Sequence, residues 1–199
     1  MKKLALMGLG ATLAIAGFSS AANETWKIVA NDALNVATVE NKTDIENWTG
    51  RTSKVSGDIV FDRNAKTGSV SVVVDGSSIT TGVALRDEHM RGADWLNFDS
   101  NKDIKFVSTR VRNTGGDNYS VTGNLTMRGI TKAVTATGSL KLTAASQATE
   151  RMGIKGDVAA LSAKFSVKLS DFGVKHPAIQ SGNVNDKLDI ALRVIATNK

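Results

Sequence analysis

No cysteine occurs anywhere in the chain. Disulfide staples, thiol catalysis and cysteine-based metal sites are thereby excluded, and so is lipid anchoring through an acylated cysteine. A domain of this length does without cross-links because its core is large enough to hold it. Histidine is almost as scarce, with only His89 and His176 to supply titratable chemistry near neutral pH. Aromatic side chains make up 5% of residues, too few for the stacked basic groove of a single-strand binder, so no nucleic-acid partner is expected. No Gly-x-Ser-x-Gly elbow, His-Glu-x-x-His run, P-loop or dinucleotide fingerprint is present, and neither a metal nor a cofactor is expected. Long helical crossovers are missing too, which excludes a doubly wound α/β fold.

Charge is present but unremarkable in pattern. Lys and Arg exceed Asp and Glu by six, interspersed along the sequence, as on a mixed-charge soluble surface. Two of the basic residues, Lys2 and Lys3, precede an apolar run from Leu4 to Phe18, after which come Ser19, Ser20, Ala21 and Ala22. This is the pattern of a basic n-region, an h-region and a small-residue cleavage site. The run is interrupted by Gly8, Gly10 and Gly17 and is shorter than the about 20 apolar residues of a spanning helix. Residues 1–22 are therefore expected to be a cleaved signal peptide, and residues 23–199 one domain exported to the periplasm or secreted.

Period-two alternation dominates that domain. Val55, Gly57, Ile59 and Phe61 alternate with Ser56, Asp58 and Val60, and Val70, Val72 and Val74 follow a turn-like stretch at 64–68. Further strands are predicted at 104–111, 121–127, 134–142, 161–169 and 188–194, with weaker candidates at 26–29 and 34–39. Gly115 and Gly116, and then Gly129, mark short turns, which favour antiparallel neighbours. About eight strands with a single helix fit an all-β, antiparallel eight-stranded closed barrel, with a two-sheet sandwich as the alternative. Such a barrel is either filled by side chains or holds one small ligand. Gly57, Gly123, Gly138, Ala136 and Ala163 fall in the alternating apolar set, which points to incomplete filling, although glycine also marks bends at barrel corners.

The one helix is expected near 82–98. Leu85, His89, Ala93 and Leu96 recur at i, i+4, i+8 and i+11, on one helical face, and Gly92 weakens the second half. The same segment holds Arg86, Asp87, His89, Arg91 and Asp94, with Arg91 four residues after Asp87. These read either as a network that pins the helix to the barrel rim or as a clamp for a ligand head group. Residues 144–160 show no period and read as a long loop.

Taken together, several stretches resemble the YceI-like family of polyisoprenoid-binding proteins. Arg86-Asp87-Glu88-His89-Met90-Arg91, with Asp94-Trp95-Leu96 and then Ile104-Lys105-Phe106, is similar to the family's helix and following strand. The run Val121 to Lys132 resembles its strand-turn-strand, Ser170-Asp171-Phe172-Gly173 a late corner, and Ser56 to Asp62 an early strand. Order and spacing agree from about Trp26 to Ala196. The chain departs from the pattern where Trp95, Leu96, Asn97, Lys102 and Ala133 stand in place of the family's usual Phe, Phe, Asp, Pro and Pro.

The resemblance implies a lipocalin-like barrel around a long apolar ligand, with no enzymatic activity. The expectation is a soluble carrier of an isoprenoid, isoprenoid quinone or fatty-acid-like lipid, serving transport, storage or stress response. Transient membrane contact and a homodimer are both compatible with it. Ile59, Phe61, Val72, Phe106, Leu125 and Phe165 are the expected lining, and Trp95, Leu96 and Phe98 would close one end. Two other classes are weighed: a hydrolase or isomerase using His89 with Asp87 or Asp94, and a filled barrel that binds protein partners. If the leader is real, N-terminal sequencing of protein recovered from the periplasm will begin at Ala22 or Asn23; a product beginning at Met1 would refute it.

Overall fold

The structure, a computed structural model, describes residues 23–199, so the expected leader at 1–22 lies outside the described residues. Its strands are β1 (Glu24–Ile28), β2 (Val36–Lys42), β3 (Asn47–Thr52), β4 (Val55–Asp62), β5 (Thr67–Asp75), β6 (Asp103–Gly115), β7 (Asn118–Met127), β8 (Ile130–Thr143), β9 (Val158–Lys168) and β10 (Lys187–Thr197). β1 and β4 to β10 form an antiparallel barrel of eight strands, closed where β1 pairs with β10. This decides between barrel and sandwich. β2 and β3 are an additional hairpin on the same edge of β10: residues 189–193 pair with β2, and Ala196 and Thr197 pair with β1.

Two buried asparagines fix that hairpin. Asn35 donates to the Val29 carbonyl at 2.6 Å and accepts from the Ile195 amide at 3.1 Å, while Asn41 donates to the Asn185 carbonyl at 2.7 Å and accepts from the Asn185 amide at 3.0 Å. Each side-chain amide thus supplies bonds that the backbone lacks where β2 begins and ends.

The interior falls into two clusters, one at each end of the barrel. Trp26, Ile59, Phe61, Tyr119 and Leu140 centre the first, and Phe98, Leu125, Leu169, Phe172 and Leu188 the second. The expected parity of β4 holds, since Val55, Ile59 and Phe61 are buried while Ser56 and Asp58 are exposed. In β6 parity changes at a bulge: Thr109 has no partner between the pairs Ser108–Gly123 and Arg110–Thr122. The extra residue lets both Phe106 and Val111 face inward.

Apart from those of the short β1, two ladders stop before their strands do. β8 and β9 pair only as far as Thr137–Lys164, and β5 and β6 only from Asp103 to Val107 on β6. The first split is covered: Arg128 Nη1 donates to the Gly173 carbonyl at 3.1 Å, beneath the turn Leu169–Phe172, and Phe172 is 1% exposed.

The inward glycines mark close approach more than empty space. Gly57 has φ +142°, and a Cβ there would lie 2.0 Å from the Ser71 carbonyl oxygen. A Cβ on Gly123 would meet the Phe106 ring at 2.5 Å. Both therefore serve a bend or a neighbour, as the corner reading requires.

Three expectations are corrected. β3 was not foreseen, because Asn47-Trp48-Thr49-Gly50-Arg51-Thr52 carries one large apolar side chain and takes its place from pairing with β2. The loop at 144–160 holds a short helix, α2 (Gln147–Arg151), capped by Ser146 and Thr149, and its last residues already belong to β9. The expected helix is α1 (Ala84–Arg91), stopped where the Gly92 amide turns back to the Glu88 and His89 carbonyls. It buries Asp87 and Met90, not the Leu85 face: Leu85 is 62% exposed. A third helix is the single turn α3 (Pro177–Gln180).

Gly57→Val forces a branched side chain into a positive-φ position against backbone, and it is expected to cost about 3 kcal/mol or more in urea unfolding. An unchanged midpoint would show that β4 can relax there.

Candidate ligand cavity

The two core clusters do not meet. Between them runs a cavity of about 160 Å³ whose lining is almost wholly hydrocarbon. Phe61, Tyr119 and Leu140 line it at the Trp26 end, and Ile79, Leu96, Phe98 and Leu188 at the other. A void of about 150 Å³ lined by aliphatic side chains stays dry and admits benzene. Here a similar volume is drawn out along the barrel, a shape suited to a thin chain. Tyr119 is set edge-on to Phe61, with ring centroids 5.9 Å apart, and burial pushes its phenol above its ordinary pKa.

Eight of the nine side chains expected to line the cavity do so: Ile59, Phe61, Val72, Leu96, Phe98, Phe106, Leu125 and Phe165. Trp95 does not. It stacks on His176 with ring centroids 4.2 Å apart, on the outer side of the Phe98 end, where His176 Nδ1 accepts from the Ala178 amide to cap α3. Sequence reading also passed over Val111, Val121, Leu161 and Leu192. The inward parity of Val121, Leu161 and Leu192 was legible in the alternation, but Val111 faces inward only because of the bulge at Thr109.

The polar cluster resolves into separate tasks. Asp87, 7% exposed, accepts from Thr80 Oγ1 at 2.5 Å, Thr81 Oγ1 at 2.6 Å and the Thr81 amide at 2.7 Å. Burial pushes its carboxyl up, but those three donors and the charge of Arg91 outweigh burial and hold it below the ordinary carboxylate range. Arg86 pairs with Glu46 on the β2–β3 turn and lies over the Trp48 ring at 5.5 Å. Asp87 and Arg86 thus anchor α1 to the wall. His89 and Asp94 are exposed and share no hydrogen bond with each other or with Asp87. The acid-base pair required by the hydrolase reading is therefore not assembled, and the head-group clamp has no side chain from this cluster in the lining.

At the same end Arg128, held at φ +54°, donates to the Ala93 carbonyl at 2.8 Å as well as to Gly173. It ties the chain after α1 to the turn before α3. The turn at Met127-Arg128-Gly129 is thus also a brace.

A closed antiparallel barrel around an elongated apolar cavity, with its polar groups spent on holding the wall, has the architecture of a binding protein. The chain belongs to the YceI-like family, whose domain model matches residues 26–196. It is 32% identical over 195 residues to a UPF0312 protein of Pseudomonas paraeruginosa, covering 97% of this chain and 96% of that one. A UPF0312 protein of Pseudomonas fluorescens is 39% identical over 127 residues, 64% of this chain and 62% of its own length. Among solved structures, Burkholderia cenocepacia BcnA superposes with TM-score 0.72 at 23% identity, covering 84% of this chain and 99% of BcnA. A polyisoprenoid binding domain from Saccharophagus degradans superposes with TM-score 0.60 at 11% identity, covering 88% and 99%. These last two similarities show a shared fold.

Asp87→Ala removes one acceptor from three donors, and a loss of about 2 kcal/mol in unfolding free energy is expected. The depressed pKa also sets a pH window. The Asp87 contribution is complete above the unfolded-state value of about 3.9 and is lost as pH falls through the lower folded-state value. Between pH 5 and pH 3 the wild type is therefore expected to lose more stability than Asp87→Asn does. Parallel acid titrations of the two would refute the anchor.

Proposed function

We propose that the protein is an exported carrier that holds the hydrocarbon of a long-chain amphiphile inside its barrel. The polyisoprenoids are the leading ligand class, with isoprenoid quinones and fatty-acid-like lipids beside them. The single observation that carries this reading is the continuous apolar cavity between two separate core clusters. A barrel evolved only for stability would fill that space, because each unfilled methyl-sized void costs about 1 kcal/mol. The ligand class is drawn from the Saccharophagus degradans domain with the same fold.

Magnitudes support passive binding. Burial of a methylene contributes about 0.8 kcal/mol, so a ten-carbon stretch yields about 8 kcal/mol before the cost of association, which is about 4 kcal/mol or more. Useful affinity then needs a chain longer than ten carbons and no catalytic group. A chain of that length displaces the half-buried Val111, Val121 and Phe165 side chains as it enters. Delivery to the periplasm fits this task, since a water-insoluble chain between two membranes needs a soluble carrier.

The test is gentle purification of the exported protein, solvent extraction and mass spectrometry. A long-chain lipid at near-stoichiometric amount is expected, and none at all would sink the proposal. Val121→Trp places an indole in the cavity at an overpacking cost of about 1–3 kcal/mol. It is expected to fold and to leave the column without lipid.

A further inference from the structure

Resting on the carrier reading, we infer that the ligand is admitted sideways between β5 and β6 and that its head group is an anion, held by Arg110, Arg112 and Lys66.

The argument begins with the wall. Around an eight-stranded barrel each strand should pair with both neighbours, yet apart from the junctions of the short β1, beside which β2 takes over along β10, two are incomplete. The split between β8 and β9 is sealed by the turn after β9, with Arg128 bonded to it. The split between β5 and β6 has no such cover among the described residues. Pairing ends at Ser71–Val107, the bulge at Thr109 bends β6 away, and the Val70 amide donates to the Ser108 hydroxyl at 2.8 Å in place of a carbonyl. Beyond this, residues 67–69 of β5 and 110–115 of β6 run on without pairing across the gap. Past the Val70–Ser108 bond, the one hydrogen bond across the gap among the described residues is from Lys66 Nζ to the Gly116 carbonyl, at 3.4 Å.

The cavity reaches this gap from inside. Val70 on one lip and Val111 on the other both line it, and both are half-buried although they face inward. Val107, where the ladder ends, is 53% exposed and extends the apolar surface to the outside. Apolar side chains thus stand on both sides of the gap, Val107 outside and Val70 and Val111 inside.

Charge at the lips is one-sided. Arg110 and Arg112 stand on the outer face of β6, opposite Thr122 and Ser120, and Lys66 stands in the β4–β5 turn across the gap. Among the described residues none of the three has a carboxylate within 4.0 Å, whereas Arg63 three residues before Lys66 pairs with both Glu24 and Asp157. Of the nearby acids, Asp62 is committed to the Asn64 and Ala65 amides of its own turn, and Asp117 lies in the β6–β7 turn. Two guanidinium groups present forks of donors that match a carboxylate or a phosphate. With the lining uncharged, the amphiphile that satisfies both regions has its chain in the barrel and its anion at the gap. This differs from the α1 cluster at the opposite end, whose charges are committed to the fold.

The experiment uses the full exported protein and an anthroyloxy-labelled palmitate as fluorescent probe. Palmitate and geranylgeranyl phosphate compete against hexadecanol and geranylgeraniol, which separates the two sources of an anion. At least one anion is expected to displace the probe about ten-fold better than its own alcohol, with the advantage shrinking as salt rises. Arg110→Glu with Arg112→Glu removes that advantage and leaves both alcohols unchanged. Because these side chains are exposed, a melting curve serves to confirm an intact fold. Alcohols that match their anions in the wild type, or an anion advantage that survives the charge reversal, would overturn the inference and leave the carrier intact. If neither probe nor competitor enters the wild type, the carrier reading fails and the portal with it.

Discussion

β10 bonds to β9 along its whole length on one side and on the other to two strands in succession, β2 and then β1. Backbone amides and carbonyls cannot be left unpaired in an interior, and an exposed strand edge invites association with another chain. Closing the sheet through this shared edge meets both demands. The short β1 completes the ring at the Trp26 end, while the β2–β3 hairpin widens it toward the other, where Asn41 supplies the bonds that β2 lacks as it ends. A cavity open along the barrel, rather than a collapsed sandwich, is the consequence.

Closure also requires the eight-stranded wall to bend, and the chain accommodates this locally. Gly57 lets β4 approach β5 closely, and the bulge at Thr109 restores inward parity after β6 turns. The same bulge ends the β5–β6 ladder. A device that keeps Val111 facing the cavity is therefore also what leaves the wall discontinuous beside it.

Segment 80–98 shows how polar interactions can direct an apolar end. Its helix buries a carboxylate and Met90, and the carboxylate is tolerated because Thr80 and Thr81 surround it with donors. Arg86, Asp87 and Arg128 position a segment whose own apolar residues, Leu96 and Phe98, then close one end of the cavity. Apolar periodicity favoured the wrong face, Leu85 and His89, because a satisfied buried Asp reads in sequence as a surface residue.

The eight-stranded antiparallel ring, the family and the large side chains at the centre of the lining were determined by the sequence alone. Alternation in β4 to β10 has a period of two that burial on one face enforces, and tight turns join successive strands. β3 was not legible, since its single large apolar residue gives no periodic signal. Nor was Trp95, whose apolar ring is engaged by His176 from a segment some 80 residues away. Tertiary structure alone decided where the ladders stop, which charges are left without partners, and that the cavity runs between two cores. Each of these depends on long-range pairing and curvature, and a local pattern of residues carries no information about the distance between strands that are not neighbours in the chain.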